Sequence, residues 1–188
     1  MRWLALAGAA FLLGGCGVAR DPYVSGNNTI SSGEWKIERT ADRVTGNAIT
    51  SASLFTRNSS HSGVDYAKPA QLQLMCFERN PVIRFSFDFK IGSDMNSMLG
   101  YRFDDKPGHD NVASRVLIGY TVIMIEDKAA VAQFVDELVS SNLLYLRIRS
   151  LNAGRTTAEF RVAGAAAAVQ AGFADCPLAP SPGQKRTS

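Results

Sequence analysis

Gln71-Leu72-Gln73-Leu74-Met75-Cys76, a break at Glu78-Arg79-Asn80-Pro81, then Ile83-Arg84-Phe85-Ser86-Phe87-Asp88-Phe89-Lys90-Ile91: the reading of this stretch decides the fold. Apolar side chains alternate with polar ones at a strict period of two, the pattern of a strand buried on one face only. The break carries turn chemistry, so the two runs predict a hairpin. A further run, Leu99-Gly100-Tyr101-Arg102-Phe103-Asp104, predicts a third strand and makes the expected centre a β-meander from Gln71 to Asp105.

Outward from that centre the pattern changes twice. On the N-terminal side, Trp35 to Glu38 and Ala48 to Phe55 read as two strands that pair around a turn at Asp42 to Gly46, and Asn58 to Pro69 reads as a polar loop holding a solvated His61. On the C-terminal side, Asp105-Lys106-Pro107-Gly108 marks a turn, and Val112 to Ile125 is β-rich, either one bulged strand or two short ones around Gly119. Val131, Phe134, Val135 and Leu138 then fall at helical spacing behind Asp127, a good N-cap. Leu144, Leu146 and Ile148, then Ala158, Phe160 and Val162, alternate as a second hairpin, and Gly164 to Gly172 reads as a short alanine-rich helix leading to Cys176. The expected class is α+β: mainly an antiparallel sheet or sandwich, with one amphipathic helix and a short C-terminal helix.

The ends differ in character from this middle. Met1-Arg2 and the apolar run Trp3 to Leu13 form an export signal too short for a finished transmembrane helix. Leu13-Gly14-Gly15-Cys16 resembles a bacterial lipobox, in which the cysteine is diacylated and becomes the new N-terminus, the alternative being an ordinary signal peptide with an incidental cysteine; Gly17 in place of Asp implies the outer membrane. The expected organisation is a signal peptide over 1–15, a lipidated tether poor in apolar residues over 16–33, a single domain over 34–176 and a proline-bearing disordered tail over 177–188. In 188 residues, Lys plus Arg outnumber Asp plus Glu by only 20 to 17, a net charge of +3, which is too mild for a nucleic-acid stripe.

With Cys16 assigned to lipid, Cys76 and Cys176 remain as an even pair in an oxidising periplasm, and they are expected to form a disulfide. Two separate buried thiols are the alternative, and a redox or metal role without a CxxC spacing is a third. An N-terminal Trp35 strand, Leu72-x-Leu74-x-Cys76, Tyr101-Arg102-Phe103-Asp104 before a Pro turn, and Phe160-x-Val162-x-Gly164 ending in Cys176 together resemble the VasI/TagO family of type VI secretion-associated envelope proteins. That resemblance implies a disulfide at Cys76 and Cys176 and a place near a secretion apparatus. Val112 and Ala113 occupy the region where the family often carries a Trp after the Pro turn.

Two groups of polar residues compete for a functional role. Asp104, Asp105, His109 and Asp110 crowd a base and carboxylates together, and Ser114 could complete a Ser-His-Asp set, but no nucleophile elbow accompanies it; the bland reading is a solvated turn. Arg102, Tyr145, Arg147, Arg149 and Arg161 lie on the polar faces of strands, either as a solvated sheet face or as a binding surface rich in the residues of interface hot spots, with a groove for an anionic glycan as a third option. No P-loop, GxGxxG, HExxH or EF-hand motif is present, and no metal or cofactor is expected. The expectation is therefore a periplasm-facing, lipid-anchored accessory or binding module with an envelope protein partner, the alternative being an enzyme acting on cell-wall or glycan material.

Overall fold

The computed structural model describes residues 28–63, 66–117, 119–176 and 178. The signal peptide, Cys16, the tether up to residue 27 and nearly all of the tail lie outside the described residues. Eleven strands join in one antiparallel sheet: β1 (Asn28–Ser32), β2 (Trp35–Ala41), β3 (Ala48–His61), β4 (Lys68–Phe77), β5 (Asn80–Phe87), β6 (Ser97–Phe103), β7 (His109–Val112), β8 (Arg115–Val116), β9 (Val122–Ile125), β10 (Leu143–Ser150) and β11 (Gly154–Arg161). Among the described residues two α-helices accompany them, α1 (Lys128–Leu138) and α2 (Ala165–Gly172). Among the described residues no helix is long and apolar enough to cross a membrane.

The alternation read in the sequence is realised directly in the central hairpin. Leu72 pairs with Phe85 and Leu74 with Ile83, and all four side chains are buried. The strand order is β7-β6-β10-β11-β3-β4-β5-β9-β8, with β1 and β2 branching off β3. Length explains the branch: β3 is 14 residues long, and its first half pairs with β2 while its last residues, Ser59 to His61, pair with β11 on that same side. An irregularity between Thr56 and Ser59 bends it, and the sheet curls into a half-barrel.

The helices close this half-barrel. Phe134 of α1 makes edge-on contacts with Phe85 of β5 at 6.1 Å and with Tyr101 and Phe103 of β6 at 4.9 and 5.0 Å. Four strands, β10, β11, β3 and β4, lie between β6 and β5 in the sheet, so one ring touching both requires the curl. Asp127 caps α1 by accepting from the amides of Ala129 and Ala130, as its position predicts. Helix α2 buries only Ala165, Ala168 and Gly172, and Gly172 lies so close to β4 that a Cβ there would stand 2.8 Å from the Leu74 carbonyl oxygen. The Cys76–Cys176 disulfide, with Cα atoms 5.8 Å apart, ties the chain after α2 to the end of β4. Trp35, fully buried on β2, donates its indole N–H to the Val162 carbonyl at 3.2 Å.

Four expectations need correction. The centre is a hairpin, not a meander: β6 leaves β5 and pairs with β10, while β5 takes β9 as its neighbour. The reason is side-chain chemistry, because β9 is apolar at every position and fully buried, and Leu99, Tyr101 and Phe103 of β6 match the buried face Leu144, Leu146 and Ile148 of β10. The expected polar loop from Asn58 begins late, since β3 runs on to His61, whose ring stacks on Phe89 at 4.7 Å and whose Nδ1 lies 2.9 Å from the Thr156 hydroxyl. The end of the expected tether, Asn28–Ser32, is a strand paired with β2. In the expected tail, Leu178 packs partly buried against the core. The β-rich segment around Gly119 resolves into two short strands, β8 and β9, joined through a turn with positive φ at Gly119 and Tyr120.

Candidate functional site

The outer face of β6, β10 and β11 is built by the same alternation that buries the inner one. With Leu144, Leu146 and Ile148 turned inward, Tyr145, Arg147 and Arg149 must turn outward; likewise Phe103 and Leu99 inward place Arg102 and Gly100 outward. Register then fixes the neighbours: Tyr145 stands opposite Arg102 and Glu159, and Arg147 opposite Gly100 and Thr157. The Arg102 guanidinium sits over the Tyr145 ring, 5.3 Å from its centroid.

Strand β7 folds over the edge of this face and forms a wall. The Asp110 carboxylate accepts from Arg147 at 3.1 Å through one oxygen and from Arg149 at 2.7 Å through the other. Space for that carboxylate exists because position 100 is glycine: a Cβ there would stand 2.9 Å from the His109 carbonyl oxygen and 3.1 Å from Asp110 Oδ1. Although partial desolvation pushes the Asp110 carboxyl up, the Arg147 hydrogen bond and the charges of Arg147 and Arg149 outweigh it and hold the group below its ordinary value. Between wall and floor lies a groove of about 520 Å³, lined among others by Asn58, Ser60, Arg102, His109, Tyr145 and Thr157. The Ser60 and Thr157 hydroxyls are hydrogen-bonded at 2.7 Å, and the Asn58 amide donates to Glu159 at 2.8 Å.

The crowded acid and histidine cluster expected from the sequence is dispersed. Asp104 leaves β6 with φ +44 and accepts from the backbone amides of Asn142 and Leu143, so it fastens the loop after α1 and does not share the Arg102 face. His109 turns to α1, where its Nε2 lies 2.6 Å from Glu137 Oε1, its Nδ1 lies 3.4 Å from the Gln133 amide nitrogen, and its ring stacks on Tyr101 at 4.7 Å. An amide N–H donated to Nδ1 leaves Nε2 as the protonated nitrogen donating to Glu137. Both ring nitrogens are then engaged. No hydrogen bond joins Ser114 to His109, so the Ser114, His109 and Asp104 set does not assemble. Asp105 is exposed. Among the described residues no group of three or more His, Cys, Asp or Glu side chains is placed to hold a metal ion.

Of the five residues expected to bind, the structure gathers Arg102, Tyr145, Arg147 and Arg149 on one surface and leaves Arg161 exposed in an adjoining depression with Glu34, Phe55 and Arg57, which meets the groove at Asn58 and Glu159. Three participants escaped the sequence reading. Glu137 sits on the polar side of α1 like any solvated helix acid, yet it meets His109 and keeps a second carboxylate oxygen buried without a partner. Lys106 donates to the Glu137 carbonyl and to the hydroxyls of Ser140 and Ser141, a cation at the C-terminal end of α1 where the helix dipole favours one. Burial and the nearby Glu137 charge raise the Tyr101 phenol well above its ordinary value. No protein-family model matches the chain, and neither the curated proteins nor the solved structures include a significant match.

Proposed function

We propose that the chain is an envelope lipoprotein, anchored through Cys16 and facing the periplasm from the outer membrane, whose domain acts as a non-enzymatic accessory or binding module. The observation that carries this reading is the groove floored by Arg102, Tyr145 and Arg147 and walled by Asp110, because it concentrates exposed residues suited to recognition on a rigid sheet. The lipobox-like Leu13-Gly14-Gly15-Cys16 supports the anchoring, and the disulfide suits an oxidising compartment. Association with a secretion apparatus rests on the VasI/TagO resemblance. The test is capture from crosslinked envelopes: Arg102→Glu with Tyr145→Ala abolishes capture while the melting point stays within a few degrees. Capture undiminished by that pair sinks the reading. Arg147 and Arg149 are poorer probes, since reversing them also releases Asp110 and with it β7.

One observation favours a second reading, an enzyme acting on envelope glycan or cell-wall material. His109, oriented by Glu137 at 2.6 Å, belongs to the wall of the same groove, and a histidine oriented by a carboxylate is the usual general-base pairing; Nδ1 would act as the base once it parts from the Gln133 amide at 3.4 Å. Under that reading His109→Ala or Glu137→Gln destroys function in a folded protein; under the first it does not.

A further inference from the structure

Most of the apolar residues that line the groove keep their side chains in the core. Tyr101, Leu146 and Ala158 line it, yet they are only 4%, 3% and 2% exposed, so their side chains belong to the core and the Tyr145 ring is the one apolar side chain the groove presents. An acyl chain or an aromatic anchor from a protein partner needs an apolar pocket, and none is offered here. What is offered is a set of planar or hydroxylic polar groups in neighbouring pairs: Asn58 with Glu159, Ser60 with Thr157, and Asp110 with Arg147. Planar carboxylate, amide and guanidinium groups match the adjacent hydroxyls of a sugar ring, whose C–H face packs on the electron-rich face of an aromatic ring. A groove of about 520 Å³ is within the small-ligand range of roughly 300–1,000 Å³.

The charges are not all spent internally. Arg147 and Arg149 share the single carboxylate of Asp110, and Glu159 keeps its charge while accepting from the neutral Asn58 amide. Arg102 has no carboxylate partner among the described residues; its only contact of note is the stack on Tyr145, which orients the guanidinium while leaving its N–H donors open. Such a fork matches a carboxylate or phosphate.

Resting on the reading of this groove as the binding face, we infer that its ligand is a saccharide bearing an acidic group, with the sugar ring against the Tyr145 face that Arg102 does not cover, Arg102 on the carboxylate or phosphate, and Asn58, Ser60, Thr157 and Glu159 on the hydroxyls. The test titrates the full chain by calorimetry and amide NMR with trigalacturonate, glucose 6-phosphate, neutral maltotriose and inorganic phosphate. Expected is an advantage of about tenfold or more for an acidic over the neutral sugar, the worth of one charge-assisted contact. Arg102→Gln erases that advantage, Tyr145→Ala weakens every sugar, and Arg115→Gln on the far edge strand changes nothing. The trigalacturonate and glucose 6-phosphate arms tell which acidic group is preferred. Inorganic phosphate binding as tightly as the sugar phosphate, equal binding of neutral and acidic sugars, or no binding by protein of native circular dichroism overturns the inference. If Arg102→Glu with Tyr145→Ala still abolishes envelope capture while no saccharide binds, this inference falls and the binding-module reading stands; if that pair leaves capture intact, both fall.

Discussion

Removing the Cys76–Cys176 disulfide should cost this domain more stability than any other single change outside the barrel core. The two cysteines are separated by 100 positions, and closing a loop of that length removes about 4 to 5 kcal/mol of chain entropy from the unfolded state. Net stabilities are only about 5–15 kcal/mol. The native side magnifies the effect, because α2 fully buries only Ala165, Ala168 and Gly172, with Val169 and Ala171 half-buried beside them, and so has little apolar surface with which to hold itself. Cys76→Ala, Cys176→Ala and the double variant should therefore each lower the melting temperature by roughly 10–20 °C, at a few degrees per kcal/mol for a domain of this size. The double should be no worse than either single, since one substitution already removes the bridge. Thermal melts by far-UV circular dichroism, with and without reductant, give these numbers, and amide exchange should show α2 exchanging first. A loss under about 1 kcal/mol, additive losses, or two titratable thiols in unreduced native protein would refute the reasoning.

Other consequences are open to direct checks. Cys16→Ser should block lipidation and move the protein out of the detergent phase, because the lipid chains dominate membrane affinity; unchanged partition counts against the anchor. Phe134→Ala removes a fully buried ring that joins Phe85 to Tyr101 and Phe103, and should cost about 3–5 kcal/mol in chemical denaturation. Asp110, whose folded-state pKa is depressed below 3.8, contributes an attachment of β7 that is present above about pH 4 and is lost as pH falls through the lower folded value. Amide exchange at His109–Val112 should thus accelerate only in acid, and loosening between pH 6 and 7 would contradict the assignment.

Local alternation made most of the elements legible. Leu72, Leu74, Ile83 and Phe85 could hardly be anything but a buried hairpin face, and Asp127 before Val131, Phe134 and Leu138 announced both the helix and its cap. Strand partners were another matter. The run Leu99, Tyr101, Phe103 fits the buried face of β5 as well as that of β10 by alternation alone, and what removes β5 as a partner is the all-apolar β9, a competitor far along the chain that no local pattern in Leu99 to Phe103 announces. The same limit applies to the site. Outward orientation of Arg102, Tyr145, Arg147 and Arg149 follows from period two, but the sequence set His109 and Asp110 against them as rivals. Folding of β7 over Gly100 puts Asp110 between the two arginines and His109 on the wall of their groove, a long-range arrangement whose one local trace is a glycine inside a strand. Glu137 left no trace, since an acid on the polar side of a helix is ordinary.

The central claim is that recognition occurs in the groove on the outer face of β6, β10 and β11. It is tested most directly in living cells with a photocrosslinking side chain in place of Ser60, which lies exposed in that groove, and separately in place of Glu126, exposed beside the far edge strand. The account predicts a discrete adduct from position 60 that disappears when Tyr145→Ala is added, and none from position 126. Adducts confined to position 126, or an adduct at position 60 that Tyr145→Ala leaves untouched, would contradict it.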